Sequence, residues 1–214
     1  MRFSGHSRAY SPITKKWPKT PLTWNFQVVS EGLLRTTEAA FALWATNSLL
    51  KFSRDSLHPD ILISYRTGAH IYANHENGDI YPTMFEGPGE GLAYAFFPSG
   101  ARDFTSEVHV DDEKPWHVYL NKNPSYKFHI LLTLTHEIDH ALGLQHSMRN
   151  DLMMFPYISD NERQFPVKVS VEDFLAIQNL YGSHEDGNRH TIPATTPTPA
   201  TTVAPTAGVP THRA

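Results

Sequence analysis

The chain has 214 residues and no cysteine. No disulfide can brace it, and thiol chemistry is excluded. That absence does not reveal the compartment, because disulfide-free domains occur on both sides of the membrane. Long apolar runs are missing as well: none approaches the ~20 residues a membrane helix needs. Charge of one sign is scarce, with a formal net charge of −4. This argues against nucleic acid or an anionic membrane as the main partner. The first residues, Met1-Arg2-Phe3-Ser4-Gly5-His6, lack the apolar stretch of a signal peptide. What is present is an ordinary globular share of hydrophobic residues, 40%, enough for one domain with a sizeable core. Histidine is abundant, with 13 in the chain, which prompts a search for metal-ligand spacing.

Composition changes after Tyr181-Gly182. From Thr191 onward the chain is a Thr/Pro/Ala tract that includes Thr195-Thr196-Pro197-Thr198-Pro199. Such a tract cannot bury enough apolar surface to fold and reads as a disordered hinge, stalk or tail over 183–214. The domain is therefore expected within 1–182, its folded part starting near residue 10. Period-two apolar residues Leu22, Trp24, Phe26 and Val28 predict a strand over 22–29. Phe41, Trp44, Ala45, Ser48 and Phe52 recur at helical spacing and predict a helix over 36–53. Ile61-Leu62-Ile63 predicts a central strand covered on both faces. Leu92–Phe97 predicts another strand. The alternation through Ser106–Asp111 predicts a half-exposed one. Asn123-Pro124 predicts the start of a helix running through His140 to Gly143. A last helix is expected over 170–181. Strands and helices alternate early and two helices close the domain, so the fold class is α/β (α+β) with a mixed sheet.

The informative segment is His136-Glu137-Ile138-Asp139-His140-Ala141-Leu142-Gly143-Leu144-Gln145-His146. On a helix, His136 and His140 project from one face, one turn apart, and can share a metal. Gly143 lies where the helix must end and tolerates the left-handed backbone such an end needs. The chain can then turn back to bring His146 to the same ion. Three imidazoles suit zinc and leave one position for water. Glu137, beside the first ligand, is placed to accept a proton from that water. Isolated histidines such as His58 and His129 read as surface or packed residues.

This pattern, H-E-x-x-H-x-x-G-x-x-H, is the metzincin zinc signature, and Ser147 after the third histidine resembles the matrixin branch. The likeness extends over nearly all of residues 10–182. Lys16-Trp17-Pro18-Lys19 and Leu22-Thr23-Trp24 resemble the start of a matrixin catalytic domain. Pro59–Ile63 resembles its second strand, and Gly87-Pro88-Gly89 with Leu92–Phe96 resembles its cleft-edge loop and strand. Leu152-Met153-Met154-Phe155-Pro156 resembles the Met-turn, with Met154 as the methionine. Ile177–Gly182 resembles the end of the last helix. The resemblance implies a twisted, mixed, mostly parallel sheet with three helices and a secreted or extracellular zinc metalloendopeptidase. It implies extended polypeptide substrates such as extracellular matrix or surface proteins. One catalytic zinc is expected on His136, His140 and His146, with Glu137 as general base. A monomer with no nucleic-acid partner is expected. A metal-keeping binding or decoy module of the same fold is the alternative; loss of Glu137 would favour it, and Glu137 is present.

The resemblance also implies where substrate binds. The extended chain would pair with the strand at Leu92 and Ala93. The pocket after the scissile bond would be floored by Leu132, one turn before His136, and walled by Pro156, Tyr157 and Ile158. Its apolar lining predicts a preference for Leu, Ile, Met or Phe. Three departures stand out. Of the four ligands of the matrixin structural zinc, Asp79 and His109 survive, while Asn77 and Tyr94 replace the others; His70 and His75 are near but off the spacing. A complete structural zinc site is therefore not expected. Calcium stays open, with Glu86, Asp111 and Glu113 as candidate oxygen ligands. Asp139 replaces the usual glycine, and is expected either to be exposed or to face the second shell of the metal.

Overall fold

The computed structural model describes residues 15–27, 29–73, 80–85, 91–157 and 165–184; over 71–73 and 80–84 it describes the backbone only. Val28, Asn77, Asp79, His75, Glu86, Ile158 and the tract from 185 onward lie outside the described residues.

Strand β1, Pro21–Phe26, turns Leu22, Trp24 and Phe26 into the core, as period-two spacing requires. Helix α1, Glu31–Thr46, begins at Ser30, whose hydroxyl accepts from the Leu33 amide. It buries Leu33, Thr37, Ala40, Phe41 and Trp44, one stripe at helical spacing. It ends earlier than expected. Asn47 and Ser48 donate from their side chains to the carbonyls of Leu43 and Trp44 and close the last turn. Phe52 then belongs to strand β2, Lys51–Arg54, where it packs on Phe41 with ring centroids 4.8 Å apart. The apparent helical spacing of Phe41 and Phe52 is a contact across two elements.

Strand β3, Ile61–Arg66, is central, as expected. Strands β4, Ala69–Ala73, and β5, Ile80–Met84, form a separate antiparallel ribbon. Strand β6, Ala93–Ala95, lies at one edge of the main sheet, beside β7, Ser106–Asp111. The main sheet runs β2-β1-β3-β7-β6, parallel throughout except for β6. Strand β7 is buried along its whole length, not half-exposed. Its polar residues find internal partners: Glu107 binds His109, and Asp111 binds Lys114. The alternation thus separates an apolar face from a polar but covered one.

Short strands β8, Trp116–His117, and β9, Phe128–His129, pair in parallel. Helix α2, Ile130–Ala141, therefore starts later than expected. Asn123-Pro124 opens a turn instead, in which the Asn123 amide donates to the Lys127 carbonyl at 2.7 Å. His129 caps α2 through its ring Nδ1. Every residue of α2 is buried, between α1 on one side and β6 and β7 on the other. Trp44 of α1 reaches across and donates its indole N–H to the Thr135 carbonyl. Helix α3, Val171–Tyr181, opens on a capping box of Ser170 and Asp173. This is the three-helix, mostly parallel α+β architecture expected. The helix carrying the histidines is buried at every residue, as is β7 beside it.

Candidate active site

Helix α2 presents His136 and His140 on one face, one turn apart. Past Leu142 the chain reverses through Gly143, at φ 108°, a value that side chains with a Cβ rarely adopt. The reversal returns His146 to the helix. Its Nε2 lies 3.3 Å from that of His136 and 3.1 Å from that of His140. One ligand atom from each ring falls within 4.8 Å of the others.

The outer ring nitrogens are held. His136 Nδ1–H donates to the Met153 carbonyl at 2.7 Å and His140 Nδ1–H donates to the Leu144 carbonyl at 2.8 Å. These bonds place the protons on Nδ1, so the Nε2 lone pairs point inward. Burial, then the neighbouring His140, pushes the His136 pKa well below its ordinary value. Burial and His146 push His140 down to about 3. Two neutral, oriented imidazoles with a third at tetrahedral-edge spacing suit a zinc ion, and the donor set fits it.

Glu137 is fully buried, and neither carboxylate oxygen has a hydrogen-bond partner among the described residues. Burial raises its pKa well above the usual carboxylate range. Asp139 is fully buried too, contrary to an exposed placement, and its oxygens likewise lack partners among the described residues. Burial and then the charge of Asp173 raise its pKa well above the ordinary value.

Two supporting residues escaped the sequence reading. Asp173 accepts from the Met153 amide at 3.1 Å and from the Ser170 amide at 2.9 Å. It thereby fixes the segment whose carbonyl orients His136. Its signal was the Ser170-x-x-Asp173 cap spacing. Phe97 meets His140 edge-on, with ring centroids 5.3 Å apart, and had no sequence signal. Met153 joins the main apolar cluster; Met154 is buried outside it, and its carbonyl accepts from the Ser147 amide.

Of the substrate-site candidates, Leu92 and Ala93 bury their side chains, so they can offer only backbone to a ligand. Leu132 is buried in the core cluster. Pro156 is half-buried and Tyr157 is 48% exposed, leaving room for contact there. His58 is exposed, and His129 is packed against Phe165.

A mostly parallel sheet with one antiparallel edge strand, over a helix bearing this histidine cluster, is a metzincin-like peptidase domain. Sequence comparison narrows the class, because the matrixin family profile matches residues 16–182. This chain belongs to the matrixins. It is 31% identical to stromelysin-2 of Rattus norvegicus over 90% of its own length and 39% of that protein's. It is 34% identical to matrix metalloproteinase-2 of Drosophila melanogaster over 79% of its length and 21% of the relative's. It is 33% identical to stromelysin-1 of Equus caballus over 83% and 35% respectively. The chain thus spans well under half the length of these relatives. Membership supports a metalloprotease and implies zinc.

Proposed function

We propose that this chain is a zinc-dependent metalloendopeptidase acting on extended polypeptides, with His136, His140 and His146 holding the metal and Glu137 as general base. The observation that carries the reading is the inward convergence of three imidazoles, the two helical ones clamped by carbonyls, beside a buried carboxylate without a partner among the described residues. When bound, zinc supplies Lewis acidity toward the scissile carbonyl and makes water acidic enough to act near neutral pH.

The chain's own groups do the rest. Glu137 takes the proton from the attacking water and delivers it to the leaving amine. Its raised pKa suits a group that must both accept and return a proton. Met153 and Leu144 carbonyls keep the two helical imidazoles in one tautomer, and Asp173 keeps Met153 in place. Strand β6 ends the sheet order and α2 packs against it, so a peptide added along that edge runs beside the histidines. Leu132, Pro156 and Tyr157 form the apolar pocket after the cut; the expected wall residue Ile158 lies outside the described residues. The catalytic unit ends at Gly182, and 183–214 is a hinge or tail. The protein works outside the cell, as a monomer, on matrix or surface proteins.

The test is cleavage of a quenched peptide by wild type, chelated wild type and Glu137→Ala. Chelation should abolish turnover and zinc should restore it. Glu137→Ala should keep the zinc and lose about 10²–10⁴-fold in kcat. Near-normal turnover by that variant would remove Glu137 from the mechanism. A binding module would show zinc without any cleavage.

A further inference from the structure

The resemblance that places zinc on α2 also implies two structural ions near β4–β7, a second zinc and a calcium. The described side chains there do not fit them.

A tetrahedral zinc with ligands at about 2.0–2.1 Å sets neighbouring ligand atoms about 3.3 Å apart. The α2 histidines meet that spacing, at 3.1 and 3.3 Å. Around Tyr94, His70 Nε2 and His109 Nδ1 keep that spacing, but the third atom is the phenol oxygen of Tyr94 and lies closer. The Tyr94 hydroxyl lies 2.7 Å from His109 Nδ1 and is also hydrogen-bonded to His70 Nε2, while those two nitrogens are 3.1 Å apart. The phenol oxygen sits at hydrogen-bond distance from His109, not at ligand–ligand spacing.

Proton accounting agrees. His109 Nε2 faces the Glu107 carboxylate at 2.6 Å and must donate to it. His109 Nδ1 is then an acceptor, and the Tyr94 hydroxyl supplies its proton. The result is a directed string, Tyr94 to His109 to Glu107, joining β6 to β7; His70 donates from Nδ1 to the Gly68 carbonyl and turns Nε2 toward the same phenol oxygen.

The calcium position is closed differently. Asp111 is fully buried and its Oδ1 accepts from the Glu113 amide. Its Oδ2 lies 2.9 Å from the Lys114 ammonium, whose side chain is 6% exposed. The contact is ionic; Oδ2 makes no hydrogen bond among the described residues. A buried ammonium on this carboxylate supplies the positive charge a calcium ion would bring and repels a dication.

We infer that this domain has exchanged its structural ions for side chains, the Tyr94 hydroxyl standing in for the second zinc and the Lys114 ammonium for the calcium. Its cleft-edge strand then keeps its place in calcium-free media.

Metal content and melting of the purified full chain test this without reference to activity. Wild type should hold one zinc per chain after dialysis against dilute zinc, and its Tm should not change between calcium-free and millimolar-calcium buffer. Tyr94→His should raise the content to two zinc, and Lys114→Glu should make Tm rise with calcium. Tyr94→Phe covers the case in which Tyr94→His fails to fold: it should lower Tm and leave one zinc. Two zinc in wild type, a drop in zinc with Tyr94→Phe, no zinc gained by a folded Tyr94→His, or a calcium-dependent wild-type Tm would each overturn the inference.

Discussion

Replacing Asp139 by alanine should make the protein more stable. Asp139 is fully buried on α2, its oxygens have no partner among the described residues, and Asp173 stands close enough to raise its pKa further. A carboxyl left unbonded in such a place costs about 1–3 kcal/mol even when protonated. Alanine also has the better helix propensity, by about 0.6 kcal/mol. Against this stands the void left by the carboxyl group, about 1 kcal/mol at the usual cost per unit of cavity volume. The balance is a gain of about 0.6–2.6 kcal/mol, or roughly 1–10 °C in Tm for a domain of this size. Urea unfolding of the zinc-loaded proteins at neutral pH reads it directly. The sign is the sharp part of the prediction. A loss of stability beyond about 1 kcal/mol would mean that the carboxylate is paired in solution, and the argument from an unpartnered acid would fail.

Other expectations follow from the same packing. Leu132→Arg should shift cleavage preference toward smaller residues after the cut; an unchanged peptide-library profile, together with a stability loss of about 3 kcal/mol or more, would make Leu132 a core residue only. Burial and the neighbouring His117 hold the His129 pKa down at about 4. Its folded value lies below the unfolded value of about 6.5, so its contribution to stability is complete above that pH and is lost as pH falls toward 4. With allowance for solvent screening, the loss should be about 1–2 kcal/mol. His129→Asn keeps a helix cap, and the stability difference between the two proteins should narrow by that amount across the window; a pH-independent difference would refute the assignment. Trp44→Ala should cost about 3–5 kcal/mol by denaturant unfolding, since the indole is wholly buried and donates to α2.

The metal-ligand helix was legible because its chemistry is local. Histidines four apart, a glycine stop and a third histidine lie in one segment, and no distant contact was needed to read them. Strand β3 was legible for a similar reason: Ile61-Leu62-Ile63 has no polar face, and only a central position suits it. Failures came where tertiary structure reused a pattern. Phe41 and Phe52 carry a helical interval but sit on α1 and β2. Glu107, His109 and Asp111 alternate as solvent-facing residues do, yet their partners are internal. Asn123-Pro124 offered a sound helix start, but the pairing of β8 with β9 delays α2 to Ile130. Asp139 was hardest to place, because its helix is covered all round and no periodicity announces that.

The compactness of the histidine cluster bears on how the chain behaves when it is not folded. All three imidazoles lie between residues 136 and 146. Bringing them together in a random coil closes a very short loop, and loop-closure entropy grows only with the logarithm of length. A denatured chain can therefore still chelate the ion, though without the carbonyls that orient its rings. A ligand stabilises a fold only by the difference between its affinities for the folded and unfolded states. Zinc should then raise the unfolding midpoint by less than its affinity for the folded protein suggests, and a synthetic peptide of this segment should compete for zinc measurably. Chelators would silence such a protein long before they unfold it.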